Sequence, residues 1–108
     1  MPITPPNNPP SGTYTSVLGT KLSAWDGTFD YDSTTKDITY TVTATNDEYA
    51  ATNTSNGNAF VFSIDDGTTT VSFDGANFTN PNGQYVYTGT AHSHADPTGV
   101  QDGWTATQ

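Results

Sequence analysis

The two histidines of the chain, His92 and His94, are the residues whose type and spacing point most directly to chemistry. They lie two positions apart in TAHSHADP, and positions i and i+2 of a β-strand face the same side of a sheet. Two imidazoles on one face could hold one metal ion, with Asp96 as an oxygen ligand if the strand continued. Pro97 predicts that the strand ends first, and two nitrogens fall short of the three protein ligands of a typical catalytic zinc site. We therefore predict no metal centre. His92 and His94 are the candidate metal ligands, and only a symmetric oligomer that brings several such pairs together would make a site of them.

The acidic residues do not form a recognisable catalytic or calcium-binding motif. The stretch DYDSTTKD (30–37) has the first two acids of a calcium loop, but Lys36 interrupts it and no closing glutamate follows. Any two carboxylates could be nominated as a glycosidase pair, which means that the sequence marks none. No serine lies in a nucleophile elbow, and the chain has no cysteine to act as a nucleophile. We therefore predict that the protein is not an enzyme and uses no cofactor.

The composition excludes several classes of partner. The 108 residues carry a net charge of −9, with Lys21 and Lys36 as the only basic side chains besides the histidines, so no basic patch is available for nucleic acid. The same charge would repel anionic lipid, and no apolar run is long enough to span a bilayer. Tryptophan, tyrosine and phenylalanine make up 12% of the chain, which supplies core area although hydrophobic residues are only 31%. The balance is typical of one small folded domain with polar faces.

Residues 13–108 show the period-two alternation of β-strands, and no segment has helical periodicity. The clearest strand is DITYTVTAT (37–45), where Ile38, Tyr40, Val42 and Ala44 alternate with threonines. Other predicted strands lie at 13–18, 21–25, 28–31, 59–64, 69–73, 84–94 and 104–108. The stretch DDGT (65–68) predicts a hairpin turn, and the polar stretch 46–58 predicts a long loop. The sequence thus predicts a mostly β domain over 13–108, a small single-domain antiparallel β-sandwich or barrel.

A proline-rich arm precedes this domain at residues 1–12, MPITPPNNPPSG. Proline lacks an amide donor and clashes with a preceding helical turn, so the arm is extended rather than helical. It has no basic start, apolar run or cleavage site of a secretory signal, so we expect the chain to be made in a cytoplasm. Extended segments of this kind add to the exposed sheet edge of a partner, and proline lowers the entropy lost on docking. The arm residues predicted to bind a partner are Pro2, Ile3, Thr4, Pro5, Pro6, Asn7, Asn8, Pro9 and Pro10.

Three stretches occur in the order found in a known family: KLSAWDGT (21–28), DDGTTTVSFDGANF (65–78) and TGTAHSH (88–94). They resemble segments of the lambda-type head decoration proteins of tailed phages. The first is similar to a strand with a tryptophan that ends in an Asp-Gly turn, and the matching residues are Lys21, Leu22, Trp25, Asp26 and Gly27. The family also has a similar length and an extended N-terminal arm. This chain differs by inserting residues 29–58, by lacking a helical stretch before the last strand and by continuing past that strand.

The resemblance implies a capsid decoration or cement protein that stabilises the outer head shell of a bacteriophage. It implies a homo-oligomer, a trimer by analogy, whose arm binds the major capsid protein or another virion shell protein. Such a chain would be made in the host cytoplasm and end on the capsid exterior. The residues leave two alternatives. One is an extracellular β-sandwich module that binds a glycan or acts in adhesion, with Trp104 or Tyr85 facing the ligand; the other is a small metalloprotein that uses His92 and His94.

Overall fold

The computed structural model describes residues 8–55, 59–95 and 101–108 and is almost entirely β. These residues form eight strands: β1 (Gly12–Leu18), β2 (Gly27–Tyr31), β3 (Ile38–Val42), β4 (Glu48–Asn53), β5 (Phe60–Asp65), β6 (Thr70–Thr79), β7 (Val86–Ser93) and β8 (Asp102–Thr107). Within the described ranges the helical structure is confined to two 3₁₀ turns, at Ser23–Trp25 and Pro81–Gly83. The prediction of a mostly β domain is confirmed.

The strands form a closed barrel in which each strand pairs antiparallel with the next along the chain. Strand β8 returns to pair with β1, where Ser16 lies opposite Ala106, and this pairing closes the barrel. The sequence left sandwich and barrel open, and the barrel is the architecture observed. We call the end where β1 begins the arm end, and the end where β1 finishes the far end. A closed barrel leaves no unpaired strand edge, which removes the usual route to edge-to-edge association.

Aromatic side chains fill the interior of the barrel. Strand β3 shows the pattern: Ile38, Tyr40 and Val42 point inward and are buried, as the alternation predicts. The other buried aromatic residues are Tyr14, Phe29, Tyr31, Phe60, Phe62, Phe73, Phe78, Tyr87 and Trp104. Their rings contact one another directly, with Phe62 and Phe73 stacked at a centroid distance of 4.8 Å. Eight strands enclose a space that side chains can just fill, so this interior is a packed core.

One buried chain of hydrogen bonds crosses this core. Trp104 Nε1 donates to Ser16 Oγ at 2.7 Å, and Ser16 Oγ lies 2.8 Å from the Tyr40 hydroxyl. The Tyr40 hydroxyl also lies 2.7 Å from the carbonyl oxygen of Trp25, which can only accept. Because each hydroxyl has one hydrogen, Tyr40 donates to Trp25 and Ser16 donates to Tyr40. Every member of the chain is satisfied, so a buried serine is tolerated among aromatic rings.

A β-bulge in β6 makes glycine necessary at one position of the neighbouring strand. The pairing of β6 with β7 shifts between Asp74 and Asn77, so that two residues of β6 face Gly89 of β7. A Cβ atom at Gly89 would lie 1.8 Å from the carbonyl oxygen of Asp74. Only a residue without a side chain fits there.

Two connections at opposite ends of the barrel have the same conformation. In the turn after β2, the amide of Lys36 donates to the carbonyl of Asp32, and in the turn after β3, the amide of Asn46 donates to the carbonyl of Val42. Lys36 and Asn46 both have positive φ, at 64° and 60°. Asparagine tolerates this left-handed conformation better than lysine does.

Two predictions from the sequence are wrong in the region of β3 and β4. Residues 46–58 were expected to be a loop, but Glu48–Asn53 form strand β4, with Tyr49 and Ala51 half-buried on its inner side. Strand β3 ends at Val42, so Ala44, expected on the inner face, lies exposed in the turn. Ala44 leaves the inner face because the turn at 43–46 reverses the chain earlier than its threonine-rich pattern indicates.

Candidate functional site

The last residues of the proline-rich segment are packed onto the arm end of the barrel. Pro9 is fully buried. The Tyr14 hydroxyl donates to the Pro10 carbonyl oxygen at 2.9 Å, and the Tyr31 hydroxyl donates to Asn8 Oδ1. Burial raises the pKa of both tyrosines above its ordinary value, so the hydroxyls remain donors in alkaline solution in which an exposed tyrosine would ionise.

Residues 8–11 therefore belong to the folded barrel. Ser11 Oγ also accepts a hydrogen bond from the Ser33 amide at 2.8 Å, which ties the segment to the turn after β2. The remaining residues predicted to form the binding arm lie outside the described residues: Pro2, Ile3, Thr4, Pro5, Pro6 and Asn7. Whatever these residues bind, the chain reaches the barrel through a fixed point at Asn8.

The first of the three stretches that carry the family resemblance does not form the strand expected at 21–25. Residues 21–25 were expected to be extended, but Ser23–Trp25 form a 3₁₀ turn in the connection that crosses the far end between β1 and β2. Lys21 is exposed, while Leu22 and Trp25 pack partly against the core. The apolar residues Leu22 and Trp25 are three apart, which suits one face of a 3₁₀ turn.

Two carboxylates hold this connection in place. Asp26 Oδ1 accepts the amide of Leu18 at 2.7 Å, and Asp102 Oδ2 accepts the amide of Leu22 at 2.9 Å. Gly27, the first residue of β2, lies so close to β3 that a Cβ atom would be 2.0 Å from the carbonyl oxygen of Thr41. The Trp25-Asp26-Gly27 sequence thus has a structural explanation. Trp25 packs partly against the core, Asp26 accepts a backbone amide, and Gly27 allows the close approach to β3.

A groove opens at the far end beside Trp25. It has a volume of about 340 Å³, and its lining includes Trp25, Tyr49 and Val42 together with the carboxylates of Asp47 and Asp66. The rings of Trp25 and Tyr49 contact each other, with centroids 6.2 Å apart and planes inclined by 49°. Sequence reasoning missed this site because the two aromatic residues are distant in the chain and Tyr49 was placed in a loop.

Acidic side chains are concentrated at this same end. The connections and strand ends there contribute Asp26, Asp47, Glu48, Asp65, Asp66 and Asp102. Among the described residues, Lys21 is the basic side chain on this end, whereas Lys36 lies at the arm end. The far end is therefore strongly negative, and the arm end is much less so.

His92 lies in β7 and His94 follows directly after its last residue, Ser93, and the two rings lie on the same side, as their spacing predicts. Their rings are stacked, with centroids 4.7 Å apart and planes inclined by 13°, and His94 Nε2 lies 2.8 Å from Ser72 Oγ. Parallel rings at this separation do not direct two nitrogens to a common point about 2 Å from each, as a zinc ion requires. Asp96 lies outside the described residues, and within them no three His, Cys, Asp or Glu side chains are grouped to hold a metal ion.

The aromatic residues proposed to face a glycan lie elsewhere. Trp104 is only 2% exposed, and its indole nitrogen is bonded to Ser16 inside the barrel, so that expectation is wrong for Trp104. Tyr85 is half-buried against Phe78, at a centroid distance of 4.9 Å. The half-exposed tryptophan of this chain is Trp25.

A second groove, of about 390 Å³, crosses the barrel wall over β1, β8 and β7. Its lining includes Gly89 and Gly103, and Val17 beside them is 51% exposed. Among the residues that the structure describes, no charged side chain lines this groove.

Comparison with protein-family models, with curated proteins and with solved structures finds no match for the chain. In the part of the chain that the structure describes, no helix is long and apolar enough to cross a membrane.

Proposed function

We propose that this chain is a virion structural protein, a capsid decoration or cement protein that binds the outer head shell of a bacteriophage through the segment preceding Asn8. The observation that carries the proposal is the anchored arm: buried Pro9 and the Tyr14 and Tyr31 hydroxyls fix the chain at one end of a rigid barrel. A segment that starts from a fixed point loses less freedom on docking than one on a flexible linker.

The rest of the barrel is consistent with a structural role. Aromatic side chains fill its interior, so the space that holds a small molecule in other eight-stranded barrels is occupied here. Its closed sheet offers no strand edge, so strand addition would occur on a sheet of the partner, with the arm as the added strand. A net charge of −9 keeps such a protein soluble at high copy number and away from packaged nucleic acid.

The experiment begins with virus particles purified from the source of this sequence. We expect mass spectrometry to find the chain in the particles in stoichiometric amounts. Particles from a strain that lacks the gene would then be mixed with purified chain and sedimented. We expect the full chain to sediment with the particles, and light scattering to report a trimer in solution.

Two variants change the arm but keep the residues that anchor it to the barrel. Deleting residues 2–7 leaves Asn8, Pro9 and Pro10 in place, so we expect an unchanged melting temperature and loss of particle binding. Replacing residues 2–7 with a glycine-serine segment of equal length should have the same effect. That result would show that particle binding depends on the sequence of the arm and not only on its length. Undiminished binding by either variant would refute the arm, and absence of the chain from purified particles would refute the virion proposal in favour of an extracellular binding module.

A further inference from the structure

The groove beside Trp25 combines two features that seldom occur together on an ordinary polar surface. Its apolar side consists of the half-exposed rings of Trp25 and Tyr49, with buried Val42 below. Its polar side carries the carboxylates of Asp47 and Asp66, and no lysine lines it. Among the described residues, neither the Asp47 carboxylate nor Asp66 Oδ2 has a hydrogen-bond partner. Aromatic faces and unpaired negative charge therefore meet in one concave site.

The backbone segments that carry the two aromatic rings are anchored to the barrel. The carbonyl of Trp25 accepts the buried Tyr40 hydroxyl at 2.7 Å, and the Trp25 amide donates to Leu22 at 2.9 Å. Tyr49 lies directly opposite Tyr40 in the pairing of β4 with β3. The backbone that carries each ring is thus anchored beside Tyr40, which reduces the freedom that ligand binding would have to remove.

The carboxylate of Asp66 is held by the backbone. Asp66 Oδ1 accepts the amides of Thr68 and Thr69, each at 2.8 Å, and these bonds lower the pKa of Asp66. Asp47 and Asp66 line the groove together with Tyr49, and burial and then the charges of these two carboxylates raise the pKa of the Tyr49 hydroxyl. The site therefore presents two carboxylates beside two aromatic rings.

A planar cation is the ligand that uses all of these groups. A guanidinium stacks on an aromatic face and directs its N–H donors into the carboxylates in its own plane. A neutral sugar could stack on Trp25 but would leave both charges uncompensated, and the surrounding acidic end would add nothing to its binding. We propose that the groove beside Trp25 binds an arginine side chain presented by another protein. This chain has no arginine, so the guanidinium comes from a different molecule and not from a second copy.

The proposal is tested with small probes, independently of any virus particle. The ¹H–¹⁵N NMR spectrum contains two indole signals, from Trp25 in the groove and Trp104 in the core, so Trp104 is an internal reference. Titration with Nα-acetylarginine amide should shift the Trp25 signal and leave Trp104 unmoved, with a dissociation constant on the order of 1 mM. Nα-acetylcitrulline amide, which has the same shape without the charge, should produce no saturable shift.

Two variants test whether arginine binding depends on a carboxylate in the groove. Asp47→Asn should weaken arginine binding about threefold to fivefold, as expected for loss of one exposed charge contact. Asp74→Asn removes the same charge from the exposed wall of β6, so it should leave the affinity unchanged. Equal binding of the citrulline probe, or a Trp25 shift with N-acetylglucosamine and none with the arginine probe, would overturn the proposal. A failure here leaves the particle-binding experiment unaffected, because that experiment depends on residues 2–7.

Discussion

Replacing Ser16 with alanine should destabilise the barrel by far more than its size suggests. Ser16 is 1% exposed and joins two residues of the core, accepting from Trp104 Nε1 at 2.7 Å and lying 2.8 Å from the Tyr40 hydroxyl. Alanine leaves the Trp104 N–H without an acceptor among aromatic rings. Tyr40 is less affected, since it keeps its bond to the Trp25 carbonyl at 2.7 Å.

The magnitude follows from these two losses. A buried donor left without an acceptor costs about 1–3 kcal/mol. Loss of the hydrogen bond that Tyr40 accepts from Ser16 costs at most ~1 kcal/mol more. We therefore expect Ser16→Ala to lower the free energy of unfolding by about 2–3 kcal/mol, out of a total of ~5–15 kcal/mol for a domain of this size. With a urea m-value of ~1–3 kcal/mol/M, the midpoint should fall by roughly 1 M.

Urea titration followed by circular dichroism measures this change. Ser72→Ala on the outer face of β6 is the control, because Ser72 is half-exposed and its partner His94 remains accessible to water. We expect the control to change stability by less than about 0.5 kcal/mol. If Ser16→Ala lowered the free energy of unfolding by less than ~0.5 kcal/mol, the Trp104 N–H would have found another partner. The buried chain of hydrogen bonds would then not stabilise the barrel as argued.

Three other predictions concern the backbone and the core. Gly89→Ala places a Cβ atom 1.8 Å from the Asp74 carbonyl and should cost about 3 kcal/mol or more in urea titration, whereas Gly103→Ala, with nothing within 4 Å, should be nearly neutral. A cost under ~1 kcal/mol at Gly89 would contradict the bulge geometry. Lys36→Gly should stabilise the domain by about 0.5–1 kcal/mol because φ is 64°, and Asn46→Gly should gain less, which melting curves of the two variants would compare. Burial raises the pKa of three core tyrosines, Tyr14, Tyr40 and Tyr87. Because the fold favours their protonated form, stability should hold up to a pH of about 10 and fall above it, and their phenolate absorbance should appear together with unfolding; reversible ionisation in a folded barrel would contradict this.

Much of the fold was readable from local pattern. Inward residues such as Ile38, Tyr40 and Val42 alternate with threonine, and the turn DDGT joins β5 to β6 as expected. These features depend on neighbours in the chain, so a single sequence contains them. Strand β4 was missed because Glu48–Asn53 is polar on its outer side and supplies only half-buried residues to the core.

The segment around Trp25 was misassigned for a different reason. Leu22, Ala24 and Trp25 fit a strand about as well as a short 3₁₀ turn when only their order is considered. The choice was made by partners distant in the chain, above all Asp102, whose carboxylate accepts the Leu22 amide across 80 positions. The groove depends on the same long-range contacts and could not be placed from the sequence.

The sequence alone determined the β class, the absence of arginine, the strong acidity and the shared face of His92 and His94, because composition and period-two spacing are local properties. Tertiary structure decided that the sheet closes, that Pro9 is buried, and that Trp25 and Tyr49 meet beside two carboxylates. Closure depends on one pairing between the first and last strands, and such a pairing leaves no mark on the residues between them.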